Sequence, residues 1–327
     1  MTKLIVGVDI SKSTFDVFIP YENVSKKGHS KYSNDPKGFC LFTKSLPEHV
    51  HIVMEASGPY YMPLATYLHE NGYALSVINP LSMRHFTRMR MHRSKTDKKD
   101  ASYIAEYGLS EQSKLVLWKP QAKYIIELQQ LEAVTDNLTR QCTKLKNMQE
   151  SFTCSGVNDT YALSFIAEQI TDIEQQIKEL ENYMVQLTEI HHENLFERVK
   201  SIPGLGKRNV MLLIVITNAF TKFENSKQLV AYVGLDPGTY TSGTSVHGSK
   251  RIKKMGMGRM RQLLYLAAMQ AKRSNKSCKE LYDRLIANGR KPKEAIIAVA
   301  HKLLRQAFAV GTSDNYYEEK CVGKLAN

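Results

Sequence analysis

Hydrophobic and polar residues follow the period of β-strands over the first quarter of the chain. Leu4–Ile10 is an apolar run typical of a buried strand, and Thr14–Pro20 alternates large apolar with polar side chains. Further strand patterns lie at 29–32, 51–55 and 74–79, and helical patterns lie at 34–46, 59–71 and about 96–109. Three strands followed by alternating helices and strands predict a mixed sheet covered by helices, hence an α/β fold. A basic linker is expected between the fifth strand and the last of these helices.

The pattern changes to a helical seam farther along the chain. Apolar residues recur at alternating spacings of three and four, at Leu163, Ile166, Ile170, Ile173, Ile177, Leu180, Met184 and Leu187. Upstream, leucine or phenylalanine recurs every seven residues, at Leu131, Leu138, Leu145 and Phe152. Two such seams separated by a turn predict an antiparallel helical hairpin, a coiled-coil arm that either folds on itself or joins subunits.

These patterns divide the chain into four parts. Residues 1–120 form the α/β domain and 121–195 the arm, while 196–314 form a mostly α-helical C-terminal domain and 315–327 a loose polar tail. Hydrophobic residues make up 43% of the sequence, which excludes wholesale disorder. The start of the chain does not resemble a signal peptide, and no apolar run is long enough to cross a bilayer. The five scattered cysteines are typical of a protein in the reducing cytoplasm.

The net charge of +13 is concentrated in two windows without acidic residues. The first, 71–96, carries Arg84, Arg88, Arg90, Arg93 and Lys95. The second, 237–279, carries ten cations, of which we expect six to bind nucleic acid: Lys250, Arg251, Lys253, Lys254, Arg259 and Arg261. A phosphate-binding surface concentrates one sign of charge, whereas a merely solvated surface mixes both signs. Both windows are therefore predicted to bind nucleic acid.

Four carboxylates lie at the ends of two predicted strands and at the start of the last N-terminal helix. Asp9 and Glu55 end the first and fourth strands, and Asp97 and Asp100 lie three residues apart, on one face of a helix. Each alone has an ordinary structural explanation, such as a helix N-terminal acid for Asp97. Together they suit a pair of hard divalent cations, Mg²⁺ or Mn²⁺, which assist phosphoryl transfer.

Two motifs of the C-terminal half bear on DNA. Gly204, Gly206 and Lys207 belong to a turn between two helical patterns with the spacing of a helix-hairpin-helix, whose backbone amides can approach a phosphate. Glycines in such a turn are also used for packing alone. Ser242 lies in a loop rich in glycine and threonine, just before the densest basic run, and on its own it has the features of a turn residue.

The segments VGVDISKSTFDV, MEASGPYYMPLA and KTDKKDASYIAEY, with SIPGLGKRNV and YVGLDPGTYTSGTSVHGSKRIKKMG, resemble the DEDD-type transposases of bacterial insertion sequences. That family includes Piv-type DNA invertases, and the resemblance extends over nearly the whole chain. It implies a RuvC-like, RNase H-fold N-terminal domain whose metal-binding, catalytic tetrad is Asp9, Glu55, Asp97 and Asp100.

The resemblance also implies a catalytic serine, Ser242, which forms a covalent phosphoserine bond to DNA. The preceding residue, often acidic in the family, is Thr241 here, and Ser245 is a weaker candidate nucleophile. Recombination of double-stranded DNA, guided by a structured non-coding RNA of the element, is the implied activity. The implied assembly is a homotetramer, built from dimers, in which one subunit's acidic site works with another subunit's serine.

Three other functions are consistent with parts of the sequence. A junction-resolving nuclease with an RNase H fold would share the carboxylates but not the serine chemistry. An actin-like ATPase also begins with a strand carrying Gly-x-Asp, although the cationic windows favour a larger polyanion. A non-catalytic nucleic-acid binder with a coiled-coil arm would explain the charge and the heptads but not the four carboxylates.

Overall fold

A computed structural model describes residues 4–20, 28–90, 97–154, 156, 160–236, 241–242, 246–247 and 256–319. The chain forms two compact units, Met1–Pro120 and Gln121–Asn327.

The first unit is built on a five-stranded mixed sheet. Its strands are β1 (Leu4–Ile10), β2 (Thr14–Ile19), β3 (Gly28–Ser33), β4 (Val50–Glu55) and β5 (Ala74–Ile78), in the order β3-β2-β1-β4-β5. β1 is parallel to β4 and β4 to β5, whereas β2 is antiparallel to both β1 and β3. The predicted mixed sheet is confirmed.

Helices cover both faces of this sheet. They are α1 (Pro36–Ser45), α2 (Met62–Glu70, after a 3₁₀ turn at Gly58–Tyr61), α3 (Pro80–Met89) and α4 (Asp97–Ser110). Phe39 and Phe42 of α1 share a core with Phe15 and Val17 of β2. On the other face, Ile5 and Val53 pack with Ile104 of α4.

Helix α3 corrects the expectation of a basic linker after β5. Asn79 caps this helix, because its side-chain oxygen accepts a 2.8 Å hydrogen bond from the amide of Leu81, and Pro80 occupies the first helical turn. Met83 and Phe86 are buried, and Phe86 makes an edge contact with Tyr107 of α4. Two buried apolar residues one turn apart are therefore enough to hold a helix whose outer face is cationic.

The second unit is helical apart from a short two-stranded ribbon. Its elements are α5 (Lys123–Cys154), α6 (Tyr161–Lys200), α7 (Lys207–Thr217), α8 (Ser226–Val233), β6 (Thr241–Ser242), β7 (Val246–His247), α9 (Gly258–Ser274), α10 (Lys276–Ala287) and α11 (Pro292–Gly311). The buried residues of α7, α9 and α11 form one core. An α/β N-terminal part and a helical C-terminal part agree with the predicted fold class.

Helices α5 and α6 form the predicted antiparallel hairpin. Tyr124 near the start of α5 contacts His192 near the end of α6, and Lys146 near the end of α5 contacts Glu174. The predicted seam packs between the helices, with Ile166, Ile170 and Ile173 buried against Cys142, Leu138 and Leu145. Phe152 differs from the expectation, since 41% of it is exposed.

The segment after α11 corrects the expectation of a loose tail over its described part, 315–319. The hydroxyl of Tyr317 donates a 3.3 Å hydrogen bond to Asn275 Oδ1, and its amide donates a 3.0 Å hydrogen bond to Ser201 Oγ. Asn275 is completely buried and also donates to Gln306 Oε1. This network fixes the segment to the helical unit.

Among the helices described, none is both long and apolar enough to cross a membrane.

Candidate active site and nucleic-acid surface

Asp9 and Glu55 lie side by side at the carboxyl ends of two parallel strands. The register pairs Val8 with Met54, so the next residue on each strand is one of these carboxylates. Side chains alternate along a strand, and Ile5 and Val53 face α4. Asp9 and Glu55 therefore lie on the α4 face of the sheet, where both are half-buried.

The direction of α4 brings its first turn to the same edge. A side chain at Gly108, near the end of α4, would meet Ile5 Cγ2 at 2.7 Å, whereas one at Gly7 would collide with the carbonyl oxygen of Ala101. The helix thus runs antiparallel to β1, and its start lies toward Asp9. Asp97 is its first residue and Asp100 is half-buried in its first turn, while the side chain of Asp97 lies outside the described residues.

Carboxylate oxygens on this edge are ligands of the kind that Mg²⁺ and Mn²⁺ prefer. The carboxylates of Asp9, Glu55 and Asp100 are therefore donors of the kind that a hard divalent cation binds. Within the described side chains, no group of three or more histidine, cysteine or acidic residues is close enough to bind a metal ion.

Asp16 is a further acidic residue of this face, outside the four predicted carboxylates. It lies directly opposite Asp9 in the register of β1 and β2, and only 6% of it is exposed. His29 and Lys31 of β3 both contact its carboxylate. A signal was present in the sequence, since Asp16 stands at a polar position between Phe15 and Val17 in an otherwise apolar strand.

The described cations of the first window lie in two environments. Arg84 and Arg88 are exposed on α3. Arg90 ends that helix, with its Nε 3.2 Å from Glu106 Oε1 and its guanidinium 5.5 Å from the centre of the Phe86 ring. Arg93 and Lys95 lie outside the described residues. In the described part of this window Arg84 and Arg88 are exposed, and Arg90 is 47% exposed despite its contact with Glu106.

The turn between α6 and α7 combines packing with an exposed helix start. Gly204 has φ +102°, and a side chain there would meet Ala271 Cβ of α9 at 2.5 Å, so this glycine is required for close packing. Gly206, by contrast, faces open space and precedes the first residue of α7. Lys207 Nζ lies 3.2 Å from Glu189 Oε1, yet 57% of its side chain is exposed.

Arg259 and Arg261 differ from the expectation of free phosphate ligands. Only 12% of the Arg259 side chain is exposed, and its Nε lies 3.6 Å from Glu132 Oε1 of α5. Arg261 donates a 2.8 Å hydrogen bond from Nη1 to the carbonyl oxygen of Val233. Both arginines therefore have structural partners that a sequence pattern does not reveal.

Glu132 belongs to a buried group of charges that joins four helices. Arg208 Nη2 of α7 lies 2.7 Å from Glu181 Oε1 of α6, close to the pair of Glu132 and Arg259. Burial is the main reason that the pKa of the Glu132 carboxyl is raised to about 7. Arg208 lowers this pKa, whereas Asp136 and Glu181 raise it by smaller amounts. The cost of burying this carboxylate thus exceeds its attraction to the neighbouring arginines.

The backbone of Ser242 lies in the ribbon of β6 and β7, where Ser242 pairs with Val246 and Thr241 with His247. The side chains of these four residues lie outside the described part of the chain, as does Ser245. Four predicted phosphate ligands do so too, namely Lys250, Arg251, Lys253 and Lys254.

Two family models match the chain, one in each half. A model for the DEDD transposase of IS110 elements matches residues 6–152, and a model described as the transposase IS116/IS110/IS902 family matches 196–283. The first match includes Asp9, Glu55, Asp97 and Asp100, and the second includes Ser242.

Several proteins are similar to the chain, two of them along nearly its whole length. The pilin gene-inverting proteins of Moraxella lacunata and Moraxella bovis are 27% and 28% identical to it, over 98% of this chain and 99% of each of those proteins. An IS110 protein of Streptomyces coelicolor is 28% identical over 47% of this chain and 38% of its own length.

Proposed function

The chain belongs to the IS110 family of transposases, and from that membership we propose that it cuts and rejoins double-stranded DNA at the ends of an insertion sequence. The observation that supports the proposal is that Asp9 and Glu55 end neighbouring parallel strands and that α4 begins toward the same edge of the sheet. The same sheet order, β3-β2-β1-β4-β5 with two antiparallel strands beside three parallel ones, supports an RNase H-like fold for this unit.

The proposed nucleophile is the hydroxyl of Ser242. Its oxygen attacks a backbone phosphorus and gives up its proton to a base, while the bond from phosphorus to the leaving deoxyribose oxygen breaks and that oxygen is protonated. A hydroxyl of a second DNA end then attacks the phosphoserine, which forms the new DNA linkage and returns the proton to Ser242. The two transesterifications conserve the number of phosphodiester bonds.

The acidic residues serve the same reaction from the α/β unit. Asp9, Glu55, Asp97 and Asp100 are proposed to hold Mg²⁺ or Mn²⁺, which would stabilise the negative charge that develops on the phosphate. The half-buried positions of Asp9 and Glu55 support this role, because a carboxylate that is partly shielded from water attracts a cation more strongly. The exposed Arg84 and Arg88 would bind the DNA backbone nearby on the same unit.

Partners follow from the family. We propose that a structured non-coding RNA of the element guides the choice of DNA, and that dimers assemble into a tetramer in which one subunit's carboxylates work with another subunit's serine. The cationic windows support binding to two polyanions, and the α5–α6 hairpin supplies a long helical surface for a second copy.

A trapping experiment tests this function. The purified chain is incubated with Mg²⁺, its element's RNA and a plasmid carrying the DNA that flanks its gene, and denaturing gels then detect protein bound covalently to DNA. We expect an adduct with wild type and with Ser245→Ala, and none with Ser242→Ala. Asp9→Asn should prevent recombination.

Each result separates the proposal from its alternatives. An adduct with Ser242→Ala would refute the serine assignment. Cleavage by Ser242→Ala without an adduct, lost in Asp9→Asn, would identify a nuclease that does not use serine. Full activity of Asp9→Asn would refute the role of the carboxylates.

A further inference from the structure

A row of charged residues crosses the sheet beside Asp9, at right angles to the strands. Asp9 of β1 pairs with Asp16 of β2, and Asp16 in turn pairs with Lys31 of β3. Residues directly opposite each other on neighbouring strands share a face of the sheet. Lys31 therefore lies on the same face as Asp9, two strands away.

Asp16 holds Lys31 in place. Lys31 Nζ lies 3.4 Å from Asp16 Oδ2, and His29 Nε2 lies 2.9 Å from Asp16 Oδ1. The side chain of Asp16 is only 8% exposed, whereas that of Lys31 is 52% exposed. The anchor is thus buried and the ammonium group remains accessible to a ligand.

The position of Lys31 matches the path of a nucleic-acid strand. Neighbouring strands are about 4.8 Å apart, so the backbone of Lys31 lies about 10 Å from that of Asp9. The axial rise per nucleotide of one DNA strand is about 3.4 Å, and because the strand also winds around the helix axis, phosphates one or two nucleotides apart are separated by a distance of this order. A strand whose phosphate lies at Asp9 and Glu55 can therefore place another phosphate at Lys31.

We propose that Lys31 binds a backbone phosphate of the DNA strand that is being cut, and that Asp16 and His29 position its ammonium group. This inference rests on the proposed function. It adds a binding residue on β3 and two positioning residues to an edge otherwise composed of carboxylates. A lysine suits the role because an anionic edge alone would repel the approaching DNA.

A purely structural role for Lys31 makes a different prediction. In that case the lysine only neutralises the buried carboxylate of Asp16, and replacing it changes stability but not the contacts with DNA. The salt dependence of DNA binding distinguishes the two roles, because each phosphate contact contributes about 0.9 to the slope of log affinity against log salt.

The experiment measures binding of a short fluorescent DNA duplex to the full chain at a series of KCl concentrations. The variants are Lys31→Gln, Lys31→Arg and, as a matched control, Lys44→Gln. Lys44 is an exposed lysine of α1, on the opposite face of the sheet. We expect Lys31→Gln to lower the slope by about 0.9, while Lys31→Arg and Lys44→Gln keep the wild-type slope.

The outcomes are separable. A wild-type slope for Lys31→Gln would overturn the inference and leave the proposed function intact. If wild type itself bound the duplex without salt dependence, the proposed function would fail together with the inference. Thermal unfolding without DNA confirms that each variant is folded.

Asp16→Asn tests the positioning role of Asp16 by whether it strengthens or weakens DNA binding. This change adds one positive charge to the protein, so a simple charge effect would tighten DNA binding. Loss of the anchor for Lys31 should weaken it, and tighter binding would contradict the role of Asp16. If Asp16→Asn does not fold, His29→Gln is expected to weaken binding as well, and wild-type affinity there would be the contrary result.

Discussion

Gly7 has no room for a side chain, because the backbone of α4 passes directly over it. A methyl group there would collide with the carbonyl oxygen of Ala101 and lie 2.5 Å from the amide nitrogen of Ala105. Backbone atoms cannot rotate away as a flexible side chain can, so the helix would have to move. Asp100 would move with it, away from Asp9.

We therefore expect Gly7→Ala to lower the free energy of unfolding by about 3 kcal/mol and to abolish recombination. Urea denaturation and the recombination assay measure the two effects. Gly258→Ala is the control, since a methyl group at Gly258 would approach Arg261 Nη2 only to 3.9 Å. Equal stability of the two variants would contradict the close approach of α4 to β1.

Glu132 should make stability depend on pH. The folded pKa of about 7 lies above the ordinary value of 4.5, so the folded protein binds more protons between these two values. The contribution of Glu132 to the free energy of unfolding is then fully present below about pH 4.5. It is lost as the pH rises through 7, which lowers the free energy of unfolding by about 3 kcal/mol at most.

The variant Glu132→Gln lacks this titratable carboxyl, so the pH dependence of wild type can be compared directly with that of the variant. Between about pH 5 and pH 8, the free energy of unfolding of wild type should decline relative to that of the variant. Burial lowers the pKa of His192 and His301, which produces an opposite trend, but that trend is common to both proteins. Urea denaturation measures both free energies of unfolding. If those of wild type and Glu132→Gln changed in parallel with pH, Glu132 would be charged in the folded protein at pH 5.

The α5–α6 hairpin depends on its buried seam. Ile170 is 8% exposed between the two helices, whereas Ile190, on the same helix, is 76% exposed. Replacing either by alanine has the same effect on intrinsic helix propensity, so the difference between the two variants reports packing alone.

We expect Ile170→Ala to lower the free energy of unfolding by about 2–4 kcal/mol and Ile190→Ala to leave it nearly unchanged. Denaturation followed by circular dichroism measures both. If Ile190→Ala were the more destabilising, the exposed face of α6 would be buried in solution, as it would be in an oligomer.

Elements with a strong local pattern were predictable, and those stabilised by distant partners were not. The five strands and the seam of α6 follow from apolar spacing within a few residues. The pattern of helix α3 is weak because Arg84 and Arg88 stand among its apolar residues, and the burial of Met83 and Phe86 depends on α4. Asp9 and Glu55 could be singled out because they end strands, whereas Asp16 has its partners on β3 and its counterpart on β1. Arg259 has its partner on α5, far away in sequence.

The last described residues link several helices of the second unit. Tyr317 joins Ser201 at the end of α6 with Asn275 between α9 and α10. Gln306 of α11 donates a 3.3 Å hydrogen bond to the same hydroxyl. Polar composition alone suggested a loose end, because no local pattern shows that one tyrosine hydroxyl enters a buried network.

Tyr317→Phe should lower the free energy of unfolding by about 1 kcal/mol, because it removes the hydroxyl that bonds Asn275 and Gln306 from a buried network. Tyr316→Phe is the matched control, as Tyr316 is 58% exposed. Thermal denaturation of both variants measures the difference. A loss of stability confined to Tyr316→Phe would show that the segment packs through the other tyrosine.

The contact between Gly204 and Ala271 has a consequence for how this sequence can diverge. A carbon atom added at Gly204 would collide with buried Ala271 unless α9 retreats, so a change at position 204 requires a change around position 271. Among relatives, a larger residue at position 271 should therefore accompany a shifted or lengthened turn at 203–206. Positions 204 and 271 should therefore vary together, although 66 residues of sequence lie between them.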